Sequence, residues 1–341
     1  MMIVTYIRSS SYNNYAYCQM QYFITYVLGY YPSSGKKAEL GTIVHKVMEC
    51  LAGLKKELQN SSPRTKKLVL KDDALGTISI NKTELLSKTL PDELLDKSFE
   101  YYTTHSQNSF TNSDKSECRK LVWDTLQFNH GQFDPRNRDI IAAEPHFDIP
   151  IEEDWAYYEY EINGEKVKGQ LAIKGTIDLV TKIDDNTIEA VDWKTGRRLD
   201  WATGEEKTID KLQSDPQLLL YNYALSKLFP EYKQSIMSIF FIKDGGPFSL
   251  CFDQSDHTRF LKMLKTRFQD IQRNNNPKPI SEDRSNWKCT KLCHYCKNKW
   301  ENTDTSMCQY VDNHLKANGM KDTVSKLTKS DFNIGFYSAP G

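Results

Sequence analysis

From Ile140 onward the chain breaks into short β-branched or aromatic-rich runs separated by turn residues, and this change of texture constrains the fold class most. The runs cover residues 140–151, 156–162, 166–183 and 187–193. Segments of this length and composition read as strands. Asn163-Gly164 is a hairpin signal, because both positions of a type I′ turn need a positive φ. Asp184-Asp185-Asn186 marks a second turn. Helical patterns lie on either side. Ser10 or Ser11 caps a helix through Tyr17 to about Leu28, stopped by Gly29, and residues 40–58 carry Val44, Val47, Met48 and Leu51 at helical spacing. Residues 214–229 form a helix with Pro216 in its first turn and Pro230 just beyond it. Strands at 235–243 and 248–252 and a helix at 255–273 follow. Helices, a strand meander, a helix and more strands predict an α/β sandwich.

The 341 residues suffice for one large domain or two ordinary ones. Residues 59–138 are polar and mixed, with helical patches at 85–102 and 116–128, and read as a helical insert. The expected organisation is 1–58 as N-terminal helices, 59–138 as the insert, 139–275 as the core and 276–341 as a cysteine-rich tail, one domain overall. No apolar run reaches the roughly 18 residues of a membrane span, and the N-terminus has no apolar signal region. The expectation is a cytoplasmic protein with no membrane partner. The 45 basic residues equal the 45 acidic ones, which argues against non-specific coating of nucleic acid. Local basic patches remain at 207–211 and 262–273.

Chemistry concentrates in two strands. Gly175-Thr-Ile-Asp178 ends one and Ala190-Val-Asp192-Trp-Lys194-Thr-Gly occupies the next. Alternation puts Asp192 and Lys194 on one face and Trp193 on the other. If these strands pair, Asp178 comes close to Asp192. Two carboxylates converging with a lysine suit a hard divalent cation and a group that orients water, which is what phosphodiester hydrolysis requires. Taken alone, a D-x-K triplet is short and common, and two charges on a solvated strand face explain it better than a catalytic site does. Three further features favour chemistry. Gly41-Thr-Ile-Val-His45 puts an imidazole on a helix, with Glu49 on the same face. Gln217 and Tyr221 share a helix face at i, i+4. Glu144 precedes the meander and can lend a carboxylate or orient a basic group.

The ordered set G-x-x-x-H, G-T-I-D, V-D-W-K-T-G and Q-x-x-x-Y resembles the RecB-type branch of the PD-(D/E)XK nucleases, over roughly residues 10–310. The resemblance implies a restriction-endonuclease-like α/β core, a mixed central sheet flanked by helices. It implies His45, Asp178 and Asp192 as ligands of Mg2+ or Mn2+, with the Trp193 carbonyl within reach. Lys194 becomes the catalytic lysine, with Gln217 and Tyr221 beside it. The implied activity is a deoxyribonuclease, expected as an exonuclease in recombination, repair or DNA end processing in a bacterial or phage-infected cell. DNA with single strands or free ends is the implied partner, with a helicase or annealing protein alongside. A non-catalytic DNA-end-binding module and a zinc-stabilised adaptor are the rival readings.

Eight cysteines are unevenly placed. Cys289, Cys293, Cys296 and Cys308 crowd the C-terminal stretch, a density that points to a metal, with zinc the simplest reading of the spacing. The resemblance to AddB and CRISPR-adaptation nucleases implies instead a 4Fe-4S cluster, held by one ligand from the N-terminal helix and three from the tail. Cys18, Cys289, Cys293 and Cys308 fill those places, and Cys296 is the alternative ligand. Such a clasp closes a long loop. Cys50, Cys118 and Cys251 are expected as buried apolar residues.

Overall fold

The computed structural model describes residues 2–162, 165–199, 204–301 and 303–331. The Asn163-Gly164 turn lies outside the described residues. In chain order the elements begin with β1 (Tyr6–Ile7), α1 (Ser9–Tyr17), α2 (Gln19–Tyr22) and α3 (Lys36–Asn60). Then come β2 (Lys67–Asp72), β3 (Gly76–Asn81), α4 (Leu90–His105) and α5 (Asn112–Gln127). The strand-rich stretch holds β4 (Asp139–Ala143), β5 (His146–Pro150), β6 (Tyr157–Ile162), β7 (Glu165–Gln170), β8 (Ala172–Thr176), β9 (Leu179–Lys182) and β10 (Thr187–Lys194). After it follow α6 (Ile209–Gln213), α7 (Pro216–Leu228), β11 (Gln234–Phe241), β12 (Gly246–Phe252), α8 (Gln254–Arg273), α9 (His294–Lys297) and α10 (Met307–Leu327). Among the described residues, no helix is long and apolar enough to cross a membrane.

The chain divides into two compact units. The first comprises Met1–Ser33, Phe147–Gly175 and His257–Gly341, and the second Ser34–His146 and Thr176–Asp256.

The second unit is built on a five-stranded sheet in the order β12-β11-β10-β9-β4. The β10–β11 pair is parallel and the β9–β10, β11–β12 and β4–β9 pairs are antiparallel, so the sheet is mixed as expected. β10 is its centre, buried along nearly its whole length. Val191 and Trp193 on one face of β10, and Phe240 beside them on β11, join a core with Ile43, Val44, Val47 and Leu51 of α3. Strand alternation therefore aims Asp192 at the other face, where α7 lies against β11.

The first unit holds a smaller sheet, β1-β8-β5, in which β1 and β8 run parallel, and the β6–β7 hairpin. Tyr160 of β6 is buried, and its hydroxyl donates to the Val4 carbonyl at 2.9 Å. α10 provides a last helix that the sequence pattern did not announce, because its apolar residues are too sparse to show a periodic face.

Several expectations need correction. The helix foreseen from Ser10 to Leu28 is broken at Cys18, which adopts an extended backbone (φ −156°, ψ 110°) between α1 and α2. The segment expected as a helical insert contains an antiparallel hairpin, β2 with β3, before its two helices. Leu68 and Ile78 of that hairpin bury against α3, and this tertiary contact supports strands that local composition did not advertise. The single strand read at 140–151 is two strands, divided where Glu144 takes a left-handed φ of 47°. Cys50 and Cys118 are buried, but Cys251 is exposed, since it sits on the edge strand β12 and points away from the core that takes Phe252.

Candidate active site and thiol cluster

Register places the acidic pair. In the antiparallel β9–β10 ladder Leu179 faces Val191, and one step further along the ladder brings Asp178 opposite Asp192. Asp178 is not itself in the ladder. Its Oδ2 instead accepts the Trp193 N–H at 2.8 Å, closing the end of the strand pair with a side chain. From α3, His45 Nδ1 lies 3.4 Å from Asp178 Oδ1. Two residues beyond Asp192, Lys194 Nζ lies 2.7 Å from Asp192 Oδ2.

The opposite wall comes from α7. Asp215 caps this helix by accepting the Gln217 N–H at 2.8 Å, and Pro216 starts the first turn. Lys207 Nζ holds Asp215 from behind at 3.0 Å. This anchoring aims the Gln217 amide, which donates to Asp192 Oδ1 at 3.0 Å and to the Tyr221 hydroxyl at 2.9 Å. The structure thus brings His45, Asp178, Asp192, Lys194, Gln217 and Tyr221 into one constellation, all within the second unit.

Gly41 explains the spacing of the first motif. A Cβ at this position would come 2.9 Å from Thr195 Oγ1, so α3 and the segment after Lys194 approach closely only because residue 41 has no side chain.

Burial and charge set the protonation tendencies. Burial pushes Asp192 up; Lys194 opposes this and Asp178 adds to it, leaving a raised pKa. Burial acts likewise on Asp178, but His45, Lys194 and the Trp193 N–H outweigh it and hold that carboxyl below its usual value. His45 and Lys194 both lose to burial and gain more from the two carboxylates, so both are raised. Burial raises Tyr221 well above the normal phenol range and keeps it protonated. The site is open on one side. The His45 and Lys194 side chains are 34% and 33% exposed, against 6% for Asp192, so the imidazole and the ammonium face solvent while the inner carboxylate does not. Asp192 Oδ2 is buried and, despite the neighbouring ammonium, makes no well-directed hydrogen bond. Such an oxygen has an unused lone pair.

Behind His45 lies a second charged group that the sequence only hinted at. Glu49, one turn along α3, hydrogen-bonds Glu144 carboxyl to carboxyl, and burial with that contact pushes Glu49 up to about 8. Lys46 pairs with Glu49 and lies 3.0 Å from Asp72. Glu144 also donates its backbone N–H to the Asp178 carbonyl at 3.0 Å. The left-handed turn at Glu144 thus delivers a backbone donor to Asp178 of the site and a side chain to α3.

In the first unit, Cys18, Cys289, Cys293, Cys296 and Cys308 line one small cavity with Gln21, Ile24, Pro279, Ile280 and Tyr295. The break at Cys18 is what turns its thiol into this space, where it also accepts the Gln21 N–H at 3.4 Å. Cys296, the alternative ligand, lines the same cavity as the other four and is close enough to Cys293 and Cys308 for the three thiols to influence one another. The nearby Cys296 thiol lowers Cys293 to about 7 and lowers Cys308, which Arg284 also favours as thiolate. Burial raises Cys18 to about 11. Among the described residues, no three His, Cys, Asp or Glu side chains are arranged as a formed metal site, here or in the second unit.

Comparison with known proteins adds the family. No curated protein matches the sequence. A solved structure from Eubacterium rectale, described as a "Putative exonuclease", shares 10% identity over 90% of this chain and 92% of that one, with a TM-score of 0.47. The structure of SSO0001 shares 11% identity over 76% of this chain and 95% of that one, with a TM-score of 0.25. Likeness this loose transfers no chemistry. The model of the PD-(D/E)XK nuclease superfamily, in contrast, matches residues 9–300, a span that contains every member of the constellation around Asp192. The chain belongs to the PD-(D/E)XK nuclease superfamily.

Proposed function

We propose that the chain is a Mg2+- or Mn2+-dependent deoxyribonuclease whose reaction centre is Asp178, Asp192 and Lys194. The observation that carries this reading is the convergence of two carboxylates and an ammonium, one carboxylate oxygen being buried without a directed hydrogen bond. Asp178, Asp192 and His45 would hold the cation; two carboxylates and an imidazole form a donor set suited to Mg2+ or Mn2+. Bound there, the cation would neutralise phosphate charge and lower the pKa of water.

The chain's own groups do the rest. Lys194 donates hydrogen bonds to the attacking water or to the charge that develops on phosphorus-bound oxygens. Gln217 occupies Oδ1 of Asp192 and leaves Oδ2 to face the Lys194 ammonium. The protonated Tyr221 completes a polar wall without adding charge. Trp193, buried on the opposite face, fixes the strand that carries both reacting side chains.

The reading extends to a RecB/AddB-like enzyme that acts as an exonuclease on single strands or free ends. A 4Fe-4S cluster bound by the thiols would serve a structural role. Five thiols around one small cavity are soft donors suited to iron–sulfur or zinc. Recombination or repair beside a helicase or annealing protein is the corresponding cellular role. A single domain, with the 59–138 segment as an insert and the tail as a clasp, remains the proposed organisation.

The test is degradation of end-labelled linear DNA by anaerobically purified protein with Mg2+ or Mn2+, beside Lys194→Ala. Metal-dependent degradation by the wild type alone supports the enzyme, and product lengths report its mode. A folded, metal-supplied wild type that binds DNA ends without cutting them would replace it with the end-binding reading.

A further inference from the structure

The first unit contains a groove of about 720 Å³ that the reaction centre does not use. Its walls are Tyr15, Tyr17 and Gln19 from the N-terminal helices, and Arg267, Arg273 and Lys278 from the end of α8 and the segment after it. The volume lies within the roughly 300–1,000 Å³ usual for ligand sites.

Charge is what distinguishes it. The chain as a whole is neutral, yet three cations line this groove against one acid, Asp270. Arg267 is held in place: its guanidinium carbon lies 4.3 Å from the Tyr12 ring centroid and 5.2 Å from that of Tyr15. Its Nε is buried with no hydrogen-bond acceptor. A guanidinium stacked on aromatic rings has lost its rotamer freedom already and presents a planar fork to an oxyanion. Arg273 is exposed and makes no ion pair among the described residues, and Lys278 has only Glu282 at 4.0 Å. Asn274 ties the two walls together, donating 3.0 Å bonds to the Tyr15 hydroxyl and to Gln19 Oε1. Gln19 Oε1 also accepts the Lys278 N–H at 3.1 Å. The cations are thus mounted on a braced frame.

We propose that this groove binds the sugar-phosphate backbone of a single DNA strand. A concave slot with cations along its wall follows one backbone, whereas a duplex is too broad to enter a pocket of this size. DNA as the occupant rests on the nuclease reading. The groove would then give the protein a hold on its substrate that is independent of the divalent cation.

Fluorescence anisotropy tests this with full-length protein, a labelled single strand of about 16 nucleotides and EDTA, so that nothing is cut. Arg273→Glu/Lys278→Glu should weaken binding by about tenfold and flatten the salt dependence by about 0.7 in log–log slope for each phosphate no longer neutralised. Arg273→Lys/Lys278→Arg, which keeps both charges, should bind within about twofold of wild type. Thermal melts confirm that the variants fold. Wild type that fails to bind, or charge reversal without effect on affinity and slope, overturns the proposal. So does a mononucleotide that competes as well as the unlabelled strand, since that marks a nucleotide pocket. Loss of binding on charge reversal supports the groove even if wild type proves unable to hydrolyse DNA, an outcome that would remove only the nuclease reading.

Discussion

The carboxylate of Asp178 accepts the backbone N–H of Trp193 at 2.8 Å, and this bond ties the end of β9 to the strand that carries Asp192 and Lys194. Trp193 contributes twice, because its backbone holds one carboxylate while its buried indole anchors the strand in the core against α3. The geometry of the acidic pair therefore depends on packing on the face of the sheet away from the chemistry.

Lys194→Ala should abolish most hydrolysis while leaving the fold intact, because the side chain is one-third exposed and pairs with Asp192 at the mouth of the site. Removing a preorganised charge-stabilising donor typically lowers kcat by about 10²–10³-fold. Product formation from labelled DNA at saturating metal measures it, with circular dichroism as the control. Activity retained within a few-fold would rule Lys194 out of the reaction.

Gln217→Ala should act mainly through the metal. Loss of a partner that orients a ligand typically weakens metal binding by about 10–100-fold, so the half-saturating Mn2+ concentration should rise more than the maximal rate falls. Tyr221→Phe leaves the Gln217–Asp192 bond in place and should have the smaller effect. The reverse ranking would show that the phenol, not the amide, is the important group.

Glu49 predicts a specific pH dependence. Its carboxyl is pushed up to about 8, by burial first and by Glu144 second, against about 4.3 in an unfolded chain. The folded protein therefore keeps a proton that the unfolded chain releases, and this contribution to stability is full below about pH 4.3 and lost on rising through about 8. In metal-free protein, Tm should fall across that window, and Glu49→Gln should flatten the decline. Identical profiles for the two proteins would contradict the proton-sharing pair.

Gly41→Ala separates stability from function. Alanine gains up to about 1 kcal/mol over glycine in a helix interior, but its Cβ displaces Thr195, next to Lys194. Tm should therefore change little while hydrolysis drops several-fold. Full activity would show that Thr195 moves without disturbing its neighbour.

Cys296→Ala tests whether the fifth thiol is dispensable. Because Cys296 lines the same cavity as Cys293 and Cys308, the variant should lose bound metal and visible absorbance to the same degree as Cys308→Ala. Wild-type metal content and spectrum in Cys296→Ala would return it to the position of a spare.

Much of the site was legible in the sequence because it rests on local geometry. The two-residue period of a strand places Asp192 and Lys194 together and sends Trp193 the other way, and the helical period aligns Gln217 with Tyr221; such periodicities are properties of neighbouring residues. Tertiary structure decided the rest. The β2–β3 hairpin exists where its apolar face meets α3, and Cys251 is exposed because its strand lies at an edge. The left-handed turn at Glu144, the carboxyl pair it forms with Glu49 and the placement of Cys296 among the other thiols join residues distant in sequence. The sequence by itself determined which side chains share a face; which faces meet was left to the packing of the whole chain, because long-range contacts arise only when separate elements bury their apolar surfaces against one another.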